Sequence, residues 1–327
     1  MKDITALGEI LIDFSAAGTS ASGRTIFEQN PGGAPANMLT QASRLGMSCA
    51  FIGKAGSDMH GKFLKSVLEE ENIDTSGVIL DAGYPTTLAF VDIDPSGERS
   101  FAFYRKNCAD TMLTESEIDL SLIRESRIFH FGTLSLTDEP ACSATLRALA
   151  AAKDAGALIS FDPNYRQMLW EGPDDFVSAC EKVLPLCDMV KLSEEEAMLI
   201  TGKEPLGAAE EILGMGASLC AVTLGAGGAV LACGKHVLSG EGLKVDAVDT
   251  TGAGDSFWGS LCAVLLSEKM DPKALGEEEL TKLLQTALVA SAICVTERGG
   301  IPAMPTQEKV RAFLNIKRPA VTDLSKQ

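Results

Sequence analysis

From residue 115 onward the chain alternates short apolar runs with amphipathic segments, and this rhythm restricts the fold more than any other feature. Ile128-Phe129-His130-Phe131, Leu158-Ile159-Ser160-Phe161-Asp162, Met189-Val190-Lys191-Leu192 and Cys220-Ala221-Val222-Thr223-Leu224 read as buried strands. Residues 138–156, about 174–184 and a segment opening at Ser193 read as helices, with Glu196 completing a Ser-x-x-Glu capping box. Repeated βαβ units of this kind require a mainly parallel sheet covered by helices on both faces, an α/β fold in three layers. Upstream, residues 4–14 read as one buried strand, 35–46 as a helix, 49–53 as a strand and 60–71 as a helix. Two alternating stretches, 86–94 and 98–104, joined by Asp94-Pro95-Ser96-Gly97, break the rhythm as a β-hairpin. The expected organisation is one domain over 1–316, a small β-sheet lid from about 12–30 and 84–107, and a polar, frayed tail at 317–327.

The chain has 327 residues, 46% of them hydrophobic, enough for a large core. Lys and Arg total 28 against 45 Asp and Glu, a net charge of −17 that repels nucleic acid and anionic membranes. Any phosphate site must therefore be built locally against the global field. Nine scattered cysteines without a CxxC pair, and three histidines, give no zinc spacing and read as core residues of a cytoplasmic protein. Glu9 and Asp13 interrupt the N-terminal apolar stretch, so it is not a signal peptide, and no run reaches membrane-spanning length.

Asp249-Thr250-Thr251-Gly252-Ala253-Gly254-Asp255 runs into an apolar helix beginning near Ala253. Small residues at a helix start leave backbone N–H groups reachable at the positive end of the dipole, an anion site suited to phosphate. Asp255 reads either as a first-turn acid complementing that dipole or as a functional carboxylate. Asp13 is either a turn acid at a strand end or a carboxylate that accepts ligand hydroxyls. Gly32 and Gly33 precede a Pro-started helix, allow close backbone approach, and place Asn37 one turn inside it. Asp13, residues 162–166, Ser193 with Glu196, residues 223–228 and 249–255 all fall where open α/β sheets bind ligands, beyond the carboxyl ends of strands. There is no GxxxxGK[ST] loop, Gly225-Ala226-Gly227-Gly228 does not complete GxGxxG, and there is no GxSxG elbow.

These residues carry a resemblance to the ribokinase-like (pfkB) carbohydrate kinases over about residues 4–314, most like the fructokinase branch. It rests on residues 249–255, on Gly-Gly-Ala-Pro-Ala-Asn at 32–37, and on the strings at 7–14, 103–110, 161–166, 191–196 and 298–306. The resemblance implies a ribokinase-like fold and transfer of phosphate from MgATP to a primary hydroxyl of D-fructose. Alternative acceptors are 2-keto-3-deoxygluconate, ribose or a nucleoside, and a further alternative is an inactive sugar-binding regulator. It implies Asp255 as general base, with the N–H groups of Gly252, Ala253 and Gly254 as anion hole. Asp13, Gly32, Gly33, Asn37, Arg105 and Arg166 would contact the sugar, and Thr223, Gly225 and Gly228 the nucleotide. Glu196 would organise Mg²⁺ through water. The family usually has Asn where this chain has Ser193, which leaves a nucleotide contact there open. K⁺ beside the anion hole would involve Asp249, Thr251 and carbonyls near Cys294, Glu297 and Gly299, although Asp249 is equally readable as a loop cap. Phe90, Phe101 and Phe103 on an exposed lid edge imply a homodimer through the lid.

Overall fold

The computed structural model describes residues 1–93 and 99–326; the hairpin turn read at 94–97 lies outside them. Seven parallel strands form the body of the main sheet: β1 (Lys2–Leu7), β4 (Cys49–Gly56), β5 (Ile73–Asp81), β8 (Ser126–Phe131), β9 (Leu158–Phe161), β10 (Met189–Ser193) and β11 (Leu219–Thr223). Antiparallel β12 (Gly228–Cys233), β13 (His236–Glu241) and β14 (Val321–Asp323) extend one edge, giving the order β14-β13-β12-β11-β10-β9-β8-β1-β4-β5. The chain leaves β1 toward β4 on one side and later fills the other side from β8, so the order reverses at β1/β8. One core packs α1 (Ala34–Arg44), α2 (Met59–Glu70), α8 (Ala253–Ser267), α9 (Glu277–Cys294) and α10 (Gln307–Ile316) on one face. A second core holds α3 (Leu120–Arg124), α4 (Ala141–Asp154), α5 (Pro173–Val183), α6 (Glu194–Thr201) and α7 (Pro205–Gly214) on the other. The expected three layers are present.

The stretch read as one strand over 4–14 is two. β1 stops at Leu7, and β2 (Leu11–Thr19) joins a separate sheet with β3 (Thr25–Gly32), β6 (Leu88–Ile93) and β7 (Arg99–Tyr104), in the order β3-β2-β6-β7. Both halves are apolar and buried, so pattern alone gave no break. The joint lies at Gly8, where a Cβ would come 2.7 Å from Pro35 Cγ, and at Glu9, whose side chain turns to the start of α1. In this lid sheet Asn30, Asp13, Ala89 and Phe103 form one cross-strand row. The alternate face carries Phe14 stacked on Phe90 at 5.0 Å, with Phe27 and Tyr104 edge-on to Phe90. Phe90 and Phe103 therefore point to opposite faces, and the side chain of Phe101 lies outside the described residues.

The tail expected to fray is docked instead. β14 pairs with β13, Ala320 O accepts from Glu241 N–H at 3.0 Å, and Pro319 O accepts from Gln285 Nε2 at 2.9 Å. Unpaired donors at the β13 edge give even a polar segment a place to bond. Among the described residues no helix is long and apolar enough to cross a membrane.

Helix α8 is buried along nearly its whole length because α1 covers one side and α9 another. The α1 crossing is close. A Cβ on Gly259 would lie 2.5 Å from Met38 O and 2.9 Å from Gln41 Cβ, and Ser256 Oγ donates to Gln41 Oε1 at 3.1 Å. Gly259→Ala would gain up to about 1 kcal/mol in helix propensity, but forcing the two backbones apart costs about 1–3 kcal/mol. We expect the clash to win, with a net loss of roughly 1–2 kcal/mol in urea unfolding. A variant as stable as the parent would show that the crossing is not tight.

Candidate active site

A cleft of about 660 Å³ opens between the lid and the carboxyl ends of the parallel strands. Its floor is the start of α8. Gly252, the residue before the first helical turn, has φ 76°, a left-handed conformation that glycine adopts at little cost, and a Cβ there would come 2.8 Å from Met304 Cε. No side chain caps this end. Ala253 N–H leans back to Thr250 O at a long 3.3 Å, and Gly252, Ala253 and Gly254 all line the cleft. An uncapped, glycine-flanked helix start facing a cleft suits an oxyanion, so the residues present fit a phosphate group.

Asp255, in the first turn of α8, is 8% exposed, and its Oδ2 accepts from Asn37 Nδ2 at 2.8 Å. The Asn37 carbonyl oxygen is buried, borders the cleft, and has no hydrogen-bond partner among the described residues. A buried amide oxygen left in this state costs about 1–3 kcal/mol and asks for a donor, as a hydroxyl would be. Burial pushes the Asp255 carboxyl up to about 6, reinforced by Asp162 and opposed by Lys191, by the Asn37 hydrogen bond and by Arg166.

The lid supplies the facing wall through the row Asn30, Asp13 and Phe103. Burial raises the Asp13 carboxyl to about 6, with Arg166 lowering it and Asp249 and Asp255 raising it. Gly32, paired across β2/β3 and buried, does not itself line the cleft; a Cβ there would collide with the Asp13 carboxylate, so its role is to make room for that group. Gly33 does line the cleft, with φ 114° and a Cβ position 2.5 Å from Glu9 O. Arg166 is exposed at the rim, with Nη1 on Tyr165 O at 3.0 Å. Arg105 does not reach the cleft. It is 5% exposed, its Nε pairs with Asp110 at 2.7 Å, and its other nitrogens donate to Leu134 O and Thr137 Oγ1, both at 2.7 Å. A buried guanidinium needs that many partners, and the protein supplies them.

On the opposite side, Ser193 caps α6 as expected. Glu196 is 4% exposed, and its two oxygens accept from the N–H groups of Ser193 and Tyr165, both at 2.6 Å. Thr223 and Gly225 line the cleft, but Gly228 does not: it packs at the start of β12, where a Cβ would strike Gly240 O. Asp249 clips its loop together. Oδ1 accepts from Thr251 N–H and Oγ1 at 3.0 and 2.8 Å, and Oδ2 accepts from Gly299 N–H at 3.0 Å. Cys294 Sγ reaches Thr251 O at 3.7 Å, so these candidate cation-loop residues do converge. Among the described residues no group of three or more His, Cys, Asp or Glu has metal-binding geometry. Glu9 and Lys191 are buried charged residues of the cleft that carry no role in the sequence reading. Glu9 is buried, accepts from Ala34 N–H at 2.9 Å, and is pushed up to about 7, chiefly by burial. Lys191 pairs through Nζ with Asp162 Oδ2 at 2.8 Å.

Residues 1–307 match the family model described as pfkB family carbohydrate kinase, and the chain belongs to that family. It is 40% identical over 320 residues to probable fructokinase-2 of Arabidopsis thaliana, covering 96% of each chain. A putative ribokinase II from E. coli in complex with ATP and Mg²⁺ superposes with a TM-score of 0.86 and 28% identity, over 97% of this chain and 100% of that one. A double mutant of the Vibrio cholerae O395 fructokinase, with fructose, ADP and potassium ion bound, has a TM-score of 0.84 and 31% identity over 96% and 98%.

The Asp255 environment predicts a pH-dependent stability. A carboxyl raised from 3.8 to about 6 on folding binds more protons in the native state through that window, so wild-type stability falls as pH rises across it. Asp255→Asn removes this term. By thermal unfolding we expect no advantage for the variant near pH 4 and a gain of a few degrees above pH 6.5. A variant less stable at neutral pH than at pH 4, relative to the parent, would contradict the buried-ionised assignment.

Proposed function

We propose that this chain is an ATP-dependent fructokinase that transfers the γ-phosphoryl group of MgATP to the primary hydroxyl of D-fructose, giving fructose 6-phosphate. The observation that carries the reading is Asp255 beside the uncapped helix start of Gly252, Ala253 and Gly254, with the unpaired Asn37 oxygen at the same place. The named fructokinase relatives, one of them holding fructose and ADP, support the acceptor.

In this reading the lid carboxylate Asp13, Asn37 and the backbone at Gly33 hold sugar hydroxyls, and Arg166 stands at the rim between sugar and phosphate. Asp255 takes the proton of the attacking hydroxyl. The hydroxyl oxygen bonds to the γ-phosphorus while the bond to the bridging oxygen breaks, and that electron pair leaves with ADP. The N–H groups at 252–254 receive the charge that builds on the equatorial oxygens, the positioning and electrostatic work on which phosphoryl transfer depends. A base ionised above about 6 is ready at neutral pH yet basic enough to take the proton. Thr223 and Gly225 line the nucleotide side. Glu196, with both oxygens accepting from backbone N–H groups, is the carboxylate that would help hold the Mg²⁺ of MgATP. K⁺ at the Asp249–Thr251 loop would be optional and is read by its effect on KM for ATP. The nine unpaired cysteines fit a reducing cytoplasmic location.

Asp255→Asn is expected to bind ATP nearly as the parent does and to lose on the order of 10²–10⁴ in kcat; retained turnover refutes the general-base role. In a panel of sugars with MgATP scored by kcat/KM, D-fructose should lead. A lead by 2-keto-3-deoxygluconate or ribose reassigns the acceptor, and no turnover on any sugar favours a binding protein.

The lid's outer face supports a homodimer. Phe27 and Tyr104 are 41% and 63% exposed beside the half-buried Phe90, an aromatic patch suited to burial against a second copy. Light scattering should give twice the chain mass, and Tyr104→Lys should shift it toward monomer; a monomeric parent rejects this mode.

A further inference from the structure

Beneath the Asp255 turn lies a buried ion pair, Lys191 with Asp162. Lys191, on the central strand β10, points into the sheet's carboxyl end with its side chain 8% exposed, and Asp162, just past β9, is 4% exposed. Their contact is 2.8 Å, Nζ to Oδ2, and the other Asp162 oxygen is buried without a hydrogen-bond partner among the described residues. The pair touches the catalytic turn directly. A Cβ on Gly254 would lie 2.9 Å from Lys191 Nζ, so the glycine at 254 is what lets the ammonium sit against the helix start. Next to it His130 gives Nδ1 to a hydrogen bond with Ser160 Oγ at 2.9 Å, and burial, helped by Lys191, pushes its pKa down to about 3, so it stays neutral. Isolated buried ion pairs rarely repay their desolvation as stability. This one lies where a charge can act on chemistry.

We propose that Lys191 and Asp162 are positioning residues for Asp255: a fixed positive charge anchored under the Gly252–Gly254 turn keeps the Asp255 carboxylate ionised and aimed, and Asp162 sets how strongly. The proposal rests on Asp255 acting as the base of a sugar kinase. Asn37 on α1 hydrogen-bonds Asp255, Asp13 on lid strand β2 and Arg166 on the loop after β9 line the same cleft, and Asp13, Arg166, Cys294 at the end of α9 and the pair itself lie within its electrostatic reach. Asp162, Lys191 and Asp255 together carry one net negative charge. When Asp255 accepts the hydroxyl proton, the trio becomes neutral. Without Lys191 the same proton would be held before the reaction begins, because two carboxylates would share a dry site. Lys191 itself stays charged: burial works against its ammonium, but Asp162, Glu196 and Asp255 outweigh that and hold its pKa above the ordinary value.

The test is the acid limb of the kcat/KM profile. Lys191→Met should move it up by about 1–2 pH units, and Asp162→Asn should move it down. With an upward move the Lys191→Met defect is on the order of tenfold at pH 6.5 and fades above pH 9. Asp162→Asn/Lys191→Met, with both charges removed, should return the limb toward the parent's. A Lys191→Met defect of equal size at every pH would overturn the proposal, as would limbs that move the same way in both single variants. Thermal melts of each variant separate misfolding from a shifted limb. If the parent turns over no sugar, the kinase reading fails by itself. The pair is then tested by ¹³C NMR titration of the Asp255 carboxyl, assigned with Asp255→Asn, which should show the same opposed shifts; an unmoved carboxyl overturns it.

Discussion

The hydrogen bond from Asn37 Nδ2 to Asp255 Oδ2 joins two helix starts separated by 218 positions in the chain, and the cleft is arranged around it. It exists because α1 and α8 cross with no side chain between them at Gly259, which puts the first turn of one helix beside the first turn of the other. Both helices enter on glycines with positive φ, Gly33 at 114° and Gly252 at 76°. The same joint thus brings an uncapped helix start, a carboxylate and an amide to one cleft. Phosphoryl transfer requires little covalent participation from a protein, and on the proposed reading this geometry would supply what it does require, a base and a positive field at fixed separation.

The field is local, because the protein as a whole opposes it. A chain with 45 acids and 28 bases repels ATP at long range. Around the cleft the acids Glu9, Asp13, Glu194, Glu195, Glu196, Asp249 and Asp255 are set against Arg166, Lys191 and the α8 dipole. Three of those acids are buried enough to be raised to between about 6 and 7. Such groups lower native stability at neutral pH, and cost of this kind concentrates at functional sites.

What the sequence disclosed was local. The Ser193/Glu196 capping box, the glycines around 252 and the strand–helix rhythm all depend on residues within a few positions of each other, and they can be read without knowing what packs where. What it withheld depended on distant partners. The end of β1 at Leu7 is set by Pro35 and by the Glu9 contact with Ala34, neither of which alters an apolar run. Arg105 looked free because its neighbours in sequence are a lid strand, yet Asp110, Leu134 and Thr137 surround it. The 317–327 tail is polar in composition, and only the open edge of β13 gives it an address. Lys191 was visible as a lysine inside an otherwise apolar strand. A charge buried there demands an acid across the sheet, and Asp162, one residue past a neighbouring strand, was the available one.

The lid raises the same question of neutralised charge from the other side. Asp13 and Asp255 both line the cleft; burial raises each carboxyl, Asp255 raises Asp13 further, and Arg166 at the rim lowers both. In open water such a pair would simply repel. Held on two separate elements, Asp13 on lid strand β2 and Asp255 on the first turn of α8, the carboxylates are kept apart by backbone rather than by charge, leaving a slot between them. A ligand that fills that slot with hydroxyl donors relieves both at once, because each hydroxyl hydrogen-bonds an oxygen that burial has stripped of water. A polyol satisfies this condition by its chemistry, and an anion alone does not. On the proposed reading, the acidity of the lid wall would favour the neutral, hydroxyl-rich partner and the uncapped helix start the phosphate.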